Sequence, residues 1–382
     1  MNQQIQFSRR RTGALCLCAV SAVLMATLWP FDFLPRNAVD WIQGTNGLRF
    51  RKAGVVLSSD PLKMANTEAD SYSVEVLLRP ASVKRDYTIL GFHNPTRTKQ
   101  LLVKQWTDGL LVTHDASVDR DGTGTIKFDV NHAFVPDKLV LVTLSSGPSG
   151  TRAYLNGRPA GSFPRFKISR SELAGEIVLG TSPVTYQPWP GEIHGLAVFA
   201  KELTADEALQ HYHDWSNPDG RTPDREAAIA QYSFTEGAGR EVQNDISSEP
   251  NLRIPSAFSV PHKALLRPAA EEFRPDRRYA FDIVINIAGF VPLGLIMCSY
   301  LMWTKGRWRA TLIAIFLCGT LSFMIEVLQY YIPRRESGTT DVITNTLGAA
   351  LGAALVHASV FRLILEKMTL IPGAQGASQH GR

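Results

Sequence analysis

Four long apolar runs interrupt an otherwise mixed pattern, at residues 12–35, 281–303, 310–332 and 342–365. Each approaches the roughly 20 residues that carry a helix across about 30 Å of hydrocarbon, and soluble core helices are rarely so uniform. The pattern predicts four membrane-spanning helices. The first run admits a second reading as a cleaved signal, because Arg9, Arg10 and Arg11 precede it and, with Ser8, resemble a twin-arginine string. No A-x-A cleavage site ends it, and Cys16 lacks a lipobox. Trp29-Pro30-Phe31 reads as an interfacial anchor, so a retained helix is expected.

Between the first and second runs the period changes. Short apolar stretches alternate with Gly, Pro, Asn and Asp turns, as in Ser73-Val74-Glu75-Val76-Leu77-Leu78, Leu139-Val140-Leu141-Val142-Thr143-Leu144 and Leu196-Ala197-Val198-Phe199. This spacing predicts an all-β sandwich over residues 44–215. Tyr154-Leu155-Asn156-Gly157-Arg158 reads as a strand entering a tight hairpin, and Thr204-Ala205-Asp206-Glu207 as a capped helix start. Residues 216–278 contain Pro218, Pro223, Pro250, Pro255, Pro261, Pro268 and Pro275. They read as a stiff connector, with extra strands expected near 230–234 and 251–254.

Basic residues set the orientation. Arg9–Arg11 lie in the tail of residues 1–11, Lys305, Arg307 and Arg309 between the second and third runs, and Arg362 and Lys367 where the last run meets the tail of residues 366–382. Four spans put all three places on one side, and the positive-inside tendency makes that side the cytoplasm. The expectation is a multi-pass cell membrane protein with both termini cytoplasmic and the polar middle outside. Arg274, Arg277, Arg278, Arg334 and Arg335 run against the tendency. Lys+Arg 40 against Asp+Glu 35 leaves only +5 over 382 residues, which excludes a general nucleic-acid binder. Cys16, Cys18, Cys298 and Cys318 all fall in the apolar runs. A disulfide scaffold or cysteine zinc site in the polar middle is thereby excluded.

Polar residues inside a span are expensive and tend to face a bundle interior. Asp282 and Asn286 open the second run, Glu326 and Gln329 close the third, and Asp341 and Asn345 open the fourth. Under the expected topology all six share one depth in the outer third of the bilayer. They predict one polar cluster, with Glu326 and Asp341 as candidate catalytic carboxylates, acting as general base or holding a metal between them. Arg334 and Arg335 either pair with these acids or bind an anionic head group. Gly348 and Gly352 form a small-xxx-small face for helix packing, and Pro292 is expected to kink the second span. Three roles are consistent with this pattern: chemistry on or binding of a lipid-linked ligand, a structural scaffold, or a proton relay in an oligomeric transporter.

The order of Ser73-Val74-Glu75-Val76, Val142-Thr143, Ala153-Tyr154-Leu155-Asn156-Gly157, Ile177-Val178-Leu179-Gly180 and Gly191-Glu192-Ile193-His194-Gly195-Leu196-Ala197-Val198 resembles the laminin-G-like, concanavalin A-like jelly roll. The resemblance implies glycan or protein binding. Some relatives hydrolyse β-glucans, which needs closely spaced carboxylates on one strand. Glu68-Ala69-Asp70 lacks the third acid, Ser73 standing in its place, and the strand at Glu192 offers one carboxylate, so a binding module is expected. Trp106, Tyr186 and Trp189 are the candidate sugar-stacking aromatics, with core filling as the alternative. No cofactor is predicted; Asp115, Asp119 and Asp121 are oxygen ligands of the type calcium takes, with a solvated acidic turn as the plainer reading.

Asp282-Ile283-Val284-Ile285-Asn286, Phe290-Val291-Pro292-Leu293-Gly294, Glu326-Val327-Leu328-Gln329 and the string from Arg334 through Asp341 and Asn345 to Gly348 resemble the VanZ-like membrane family over 279–360, with the helix before Trp29-Pro30-Phe31 similar to that family's opening helix. The family, named for a protein that lends low-level teicoplanin resistance, implies a cell-envelope setting but no reaction. The expected architecture is multidomain: an all-β jelly-roll sandwich inserted into a four-helix α-helical membrane bundle, the VanZ-like part being residues 279–365. Expected partners are membrane lipids and a cell-wall or lipid-linked glycan, with no nucleic acid; self-association is open.

Overall fold

The computed structural model describes residues 2–64, 70–96, 99–116, 127–217 and 227–372. They form two compact units, Leu34–Lys263 and Met1–Phe33 together with Ala264–Arg382. In chain order, helix α1 (Asn2–Leu28) comes first and belongs to the second unit.

The strands of the first unit are β1 (Val39–Trp41), β2 (Leu48–Phe50), β3 (Val56–Ser58), β4 (Tyr72–Pro80), β5 (Asp86–His93), β6 (Lys99–Trp106), β7 (Gly109–Ala116) and β8 (Lys127–Val130). There follow β9 (Val140–Gly147), β10 (Gly150–Leu155), β11 (Arg158–Phe163), the short helix α2 (Arg170–Leu173), β12 (Glu176–Leu179), β13 (Gly191–Phe199) and helix α3 (Ala205–Ser216). Last are β14 (Ala228–Tyr232), β15 (Glu241–Val242) and β16 (Leu252–Arg253). All pair antiparallel in two sheets, ordered β1-β2-β13-β4-β9-β10-β11 with β14 also on β13, and β15-β16-β3-β12-β5-β6-β7-β8. This is the jelly-roll-like sandwich. The stretch read as a connector therefore contributes strands to both sheets, and the sandwich unit runs on to Lys263.

Alternation builds the core. Tyr72, Val74, Val76 and Leu78 of β4 point inward, as do Val140, Val142 and Leu144 of β9. The opposite face of β4 is also covered. Glu75, fully buried, accepts from Thr143 Oγ1 (2.9 Å), Trp215 Nε1 (3.0 Å) and His211 Nδ1 (3.2 Å), which ties α3 to the sheet. Thr204 caps α3 and Glu207 completes the capping box. A bulge between Ile193 and Gly195 shifts β13 by one residue, so Ile193 and then Leu196 and Val198 reach the core. The Asn156-Gly157 turn joins β10 to β11 with both residues at positive φ, the twist a two-residue hairpin needs.

The helical unit continues with α4 (Ala269–Glu272), α5 (Arg277–Leu301), α6 (Arg307–Tyr330), α7 (Thr339–Leu355) and α8 (Ser359–Lys367). Among the described residues, Ile5–Leu28, Arg277–Leu301 and Arg307–Tyr330 are long and apolar enough to cross a membrane. The fourth run is not one straight helix. α7 and α8 differ in direction by 76°, so they count as a span together only if it is a broken one. In the break, His357 meets Thr311 Oγ1 of α6 at 2.8 Å and stacks on Trp308. α1 ends at Leu28, seven residues short of the first apolar run's end, because the residue before a proline is disfavoured in the α region. α5 runs through Pro292 without ending. α5 and α7 pack most closely: a Cβ on Gly348 would strike the Ile287 carbonyl, one on Gly352 the Val291 carbonyl, and one on Gly294 the backbone of Ala349.

Candidate functional site

One end of the helical unit gathers its polar residues. The turn after α6 brings Gly338 to the start of α7, whose first N–H groups have no partner within the helix. Gly338 N donates to Glu326 Oε2 and Thr340 N to Glu272 Oε2, each at 2.9 Å. Two carboxylates thus satisfy backbone donors where the helix dipole favours negative charge. A Cβ on Gly338 would run into the Glu272 carboxylate, so glycine is what admits so close an approach. The chain ahead of α4 lines up with the same turn: Arg267 N donates to Ser337 O and Thr339 N to Arg267 O, both at 2.9 Å, and Arg267 pairs with Glu336 at 3.2 Å. Sequence reasoning left Glu272 and Arg267 in the connector. The acidic first turn of α4 was the one local signal for Glu272.

The other cluster residues each tie a different helix pair. Asn286 Nδ2 of α5 donates to Asp341 Oδ1 of α7 at 2.7 Å, and Asn345 Nδ2 of α7 donates to Ser322 Oγ of α6 at 3.0 Å. Gln329 Nε2 of α6 donates to Thr27 O of α1 at 2.9 Å. Arg335 donates to Trp29 O through Nη2 (2.9 Å) and Nε (3.2 Å), and reaches Ala26 O at 3.4 Å. It therefore serves the orphan carbonyls at the C-terminal end of α1 and, among the described residues, pairs with no acid. Arg334 is exposed. Glu326 is buried, whereas Asp341 is half-buried and has the carboxylates of Glu272, Asp282 and Glu336 within electrostatic reach. Of the two candidate carboxylates, Asp341 is the one with access. Among the described residues no group of three or more His, Cys, Asp or Glu is arranged to hold a metal ion.

In the sandwich, Trp189 is fully buried and donates from Nε1 to Gln105 Oε1 at 2.8 Å, so it fills the core and offers no face to a sugar. Trp106, at the end of β6, is 48% exposed. Tyr186 is half-buried, its hydroxyl donating to Lys52 O at 3.3 Å and its ring edge-on to Phe258. Glu68, Asp119 and Asp121 lie outside the described residues, as does the side chain of Asp115. Glu192 is the one carboxylate on β13. It is held between guanidinium groups: its cross-strand neighbours are Arg49 on β2 and Arg79 on β4, bonded at 2.9 and 3.0 Å. His194 adds a third contact, Nε2 to Glu192 Oε2 at 3.2 Å, while its Nδ1 meets Asn46 O at 2.7 Å. Burial raises the Glu192 pKa, but the Arg49 hydrogen bond, His194 and Arg79 outweigh it and hold the carboxyl below the usual range.

Residues 228–362 match the VanZ/LLP1 family, and residues 52–208 match the concanavalin A-like lectin/glucanases superfamily. The chain carries a VanZ-like domain toward its C-terminus and a concanavalin A-like domain before it. The VanZ match opens at residue 228, in β14, well upstream of the helices that carry the motif resemblance. No curated protein sequence matches the chain. Among solved structures it is similar to a candidate carbohydrate-binding protein from Bacteroides ovatus, with 14% identity, TM-score 0.39, and coverage of 56% of this chain and 62% of that one. It is similar to the botulinum neurotoxin serotype D binding domain, with 14% identity, TM-score 0.34, and coverage of 46% and 45%. It is also similar to domain 4 of AbnA, an extracellular arabinanase from Geobacillus stearothermophilus, in complex with arabinotriose, with 14% identity, TM-score 0.37, and coverage of 46% and 81%. The chain spans less than two thirds of the length of the first two of these.

Proposed function

We propose that this is a multi-pass cell-envelope membrane protein that displays a glycan-binding jelly roll outside the cytoplasm, with a VanZ-like bundle whose polar end takes the anionic part of a lipid-linked glycan. The observation that carries this reading is the presence in one chain of a lectin-type domain and of helices with apolar outward faces, such as Leu312 (68% exposed) and Phe316 (71% exposed) on α6. Orientation rests on charge. The N-terminal end of α1, the C-terminal end of α5 and the segment after α8 meet through Thr12 Oγ1 and Trp303 Nε1, which both donate to Leu370 O. That end carries Arg9–Arg11, Lys305, Arg307 and Arg309, the signature of a cytoplasmic side. The polar end of the bundle then faces out.

Cysteine labelling tests the topology. Lys138→Cys in the sandwich should react with a membrane-impermeant maleimide on intact cells, and Lys305→Cys should not until the membrane is opened. The reverse pattern would overturn the reading. Binding of the full-length protein to a panel of envelope glycans tests the ligand.

A second reading is favoured by the hydrogen bonds themselves. Glu272, Glu326 and Arg335 all serve backbone groups at helix ends, as a purely structural network would. In that case the bundle is a scaffold and ligand binding belongs to the jelly roll alone.

A further inference from the structure

The row Arg49–Glu192–Arg79 crosses three adjacent strands, and beside it opens a cavity of about 670 Å³ within the sandwich unit. That lies in the ~300–1,000 Å³ range of small-ligand sites. Its charged lining consists of Arg49, Arg51, Lys52, Arg79, Asp137 and Glu192, four cations against two carboxylates. Arg51 also reaches Asp40, outside the lining, at 3.2 Å, and even with that acid counted the cations are in excess. Lys52 is exposed and pairs with no carboxylate among the described residues. Arg79 gives one N–H to Glu192, while its Nε is buried with no acceptor among the described residues.

Most of the surface that lines the cavity is apolar, from residues such as Phe50, Ala81 and Pro190, and the cations stand around it. Glu192 is already held by two guanidinium groups and His194, so its role is to set their positions, not to greet a cation. The N–H donors it leaves unspent, with Lys52 and Arg51 at the rim, form a set that matches oxyanions. We propose that this cavity binds an anionic saccharide, a sugar bearing a carboxylate or a phosphate, and that Arg49 and Arg79 contact the anion while Arg51 and Lys52 draw it in. The inference rests on the reading of the jelly roll as a glycan binder and names the ligand class and the place. A saccharide is chosen over an acidic peptide because most of the lining falls within residues 52–208, the part of the chain that matches the concanavalin A-like superfamily.

The test uses full-length protein in nanodiscs and four probes: an oligogalacturonate, its neutral methyl ester, a phosphorylated dextran and a poly-glutamate of matched charge. At least one of the two anionic saccharides should bind about tenfold tighter than the neutral ester, and binding should weaken as salt rises. Preference between them identifies carboxylate or phosphate as the anion. The exposed-rim double substitution Arg51→Gln with Lys52→Gln should weaken that binding about fivefold with the thermal midpoint unchanged. Arg79→Gln should weaken it further, at some cost in stability because Glu192 loses a partner. Equal binding of neutral and charged sugars, with no effect of the rim substitutions, would overturn the cavity assignment while leaving the glycan-binding reading intact. Poly-glutamate binding as tightly as the saccharides would overturn the ligand class. No binding of any sugar would overturn both readings.

Discussion

Glu75 in the sandwich and Glu326 in the bundle are both almost fully buried carboxylates, and they are satisfied in different ways. Glu75 is met by side chains, Thr143 from the next strand and His211 and Trp215 from the helix laid over the sheet. Glu326 counts among its partners a backbone N–H at a helix start, that of Gly338. The difference follows from what surrounds each region. The sandwich gains stability by removing apolar surface from water, and a hydrogen-bonded carboxyl group buried under α3 fixes where that helix docks. Between helices in lipid there is no such driving force, so close glycine contacts and satisfied backbone ends carry more of the association. Polar groups specify a packing already favoured in one region and help to create it in the other.

The largest expected effect breaks the sandwich side. Glu75→Ala leaves the buried His211 and the half-buried Trp215 without their acceptor and should cost about 3–5 kcal/mol, read as a lowered midpoint of tryptophan fluorescence on denaturation. A loss below 1 kcal/mol would mean α3 docks by apolar contact alone. On the bundle side, Gly352→Leu forces α5 and α7 apart at the Val291 carbonyl and should cost about 1–3 kcal/mol, read as a lower aggregation temperature in detergent. Glu326→Gln keeps an acceptor for Gly338 but loses the charge at the helix N-terminus, so about 1 kcal/mol is expected. Asp341→Asn should be milder still. If both variants accumulate normally yet lose a cellular phenotype, the ligand-binding reading of the bundle gains; if loss of phenotype tracks loss of protein, the scaffold reading does.

The smallest effect sharpens the comparison at the capping box of α3. The Thr204 backbone hydrogen bond, above all, and the Lys201 contacts outweigh the opposing effect of burial and lower the Glu207 pKa from 4.5 to about 2. A depressed carboxyl contributes stability that is present above 4.5 and lost as pH falls toward 2. Wild type should therefore lose thermal stability across that window more than Glu207→Gln does. The difference should be about a few tenths of a kcal/mol, because the side chain is more than a third exposed and screened by water.

Local signals were readable along the chain. Three of the four apolar runs form continuous helices long and apolar enough to cross a membrane, and strand alternation identified a β sandwich, because both patterns arise from neighbours within one element. The Asn156-Gly157 turn and the Thr204 cap belong to the same class. The fourth run broke at residues 356–358, where His357 binds α6, a contact no local period reports.

What the sequence alone determined is the division of labour: membrane-length apolar helices at the ends, a β domain between them, and acids and amides at matched positions in three runs. Tertiary structure decided what those side chains do. Arg335 faces carbonyls 306 and 309 residues earlier, and Arg49 and Arg79 meet Glu192 across separations of 143 and 113. Such pairs depend on strand register and helix packing, which settle only when the whole chain closes, so no short window of residues can encode them.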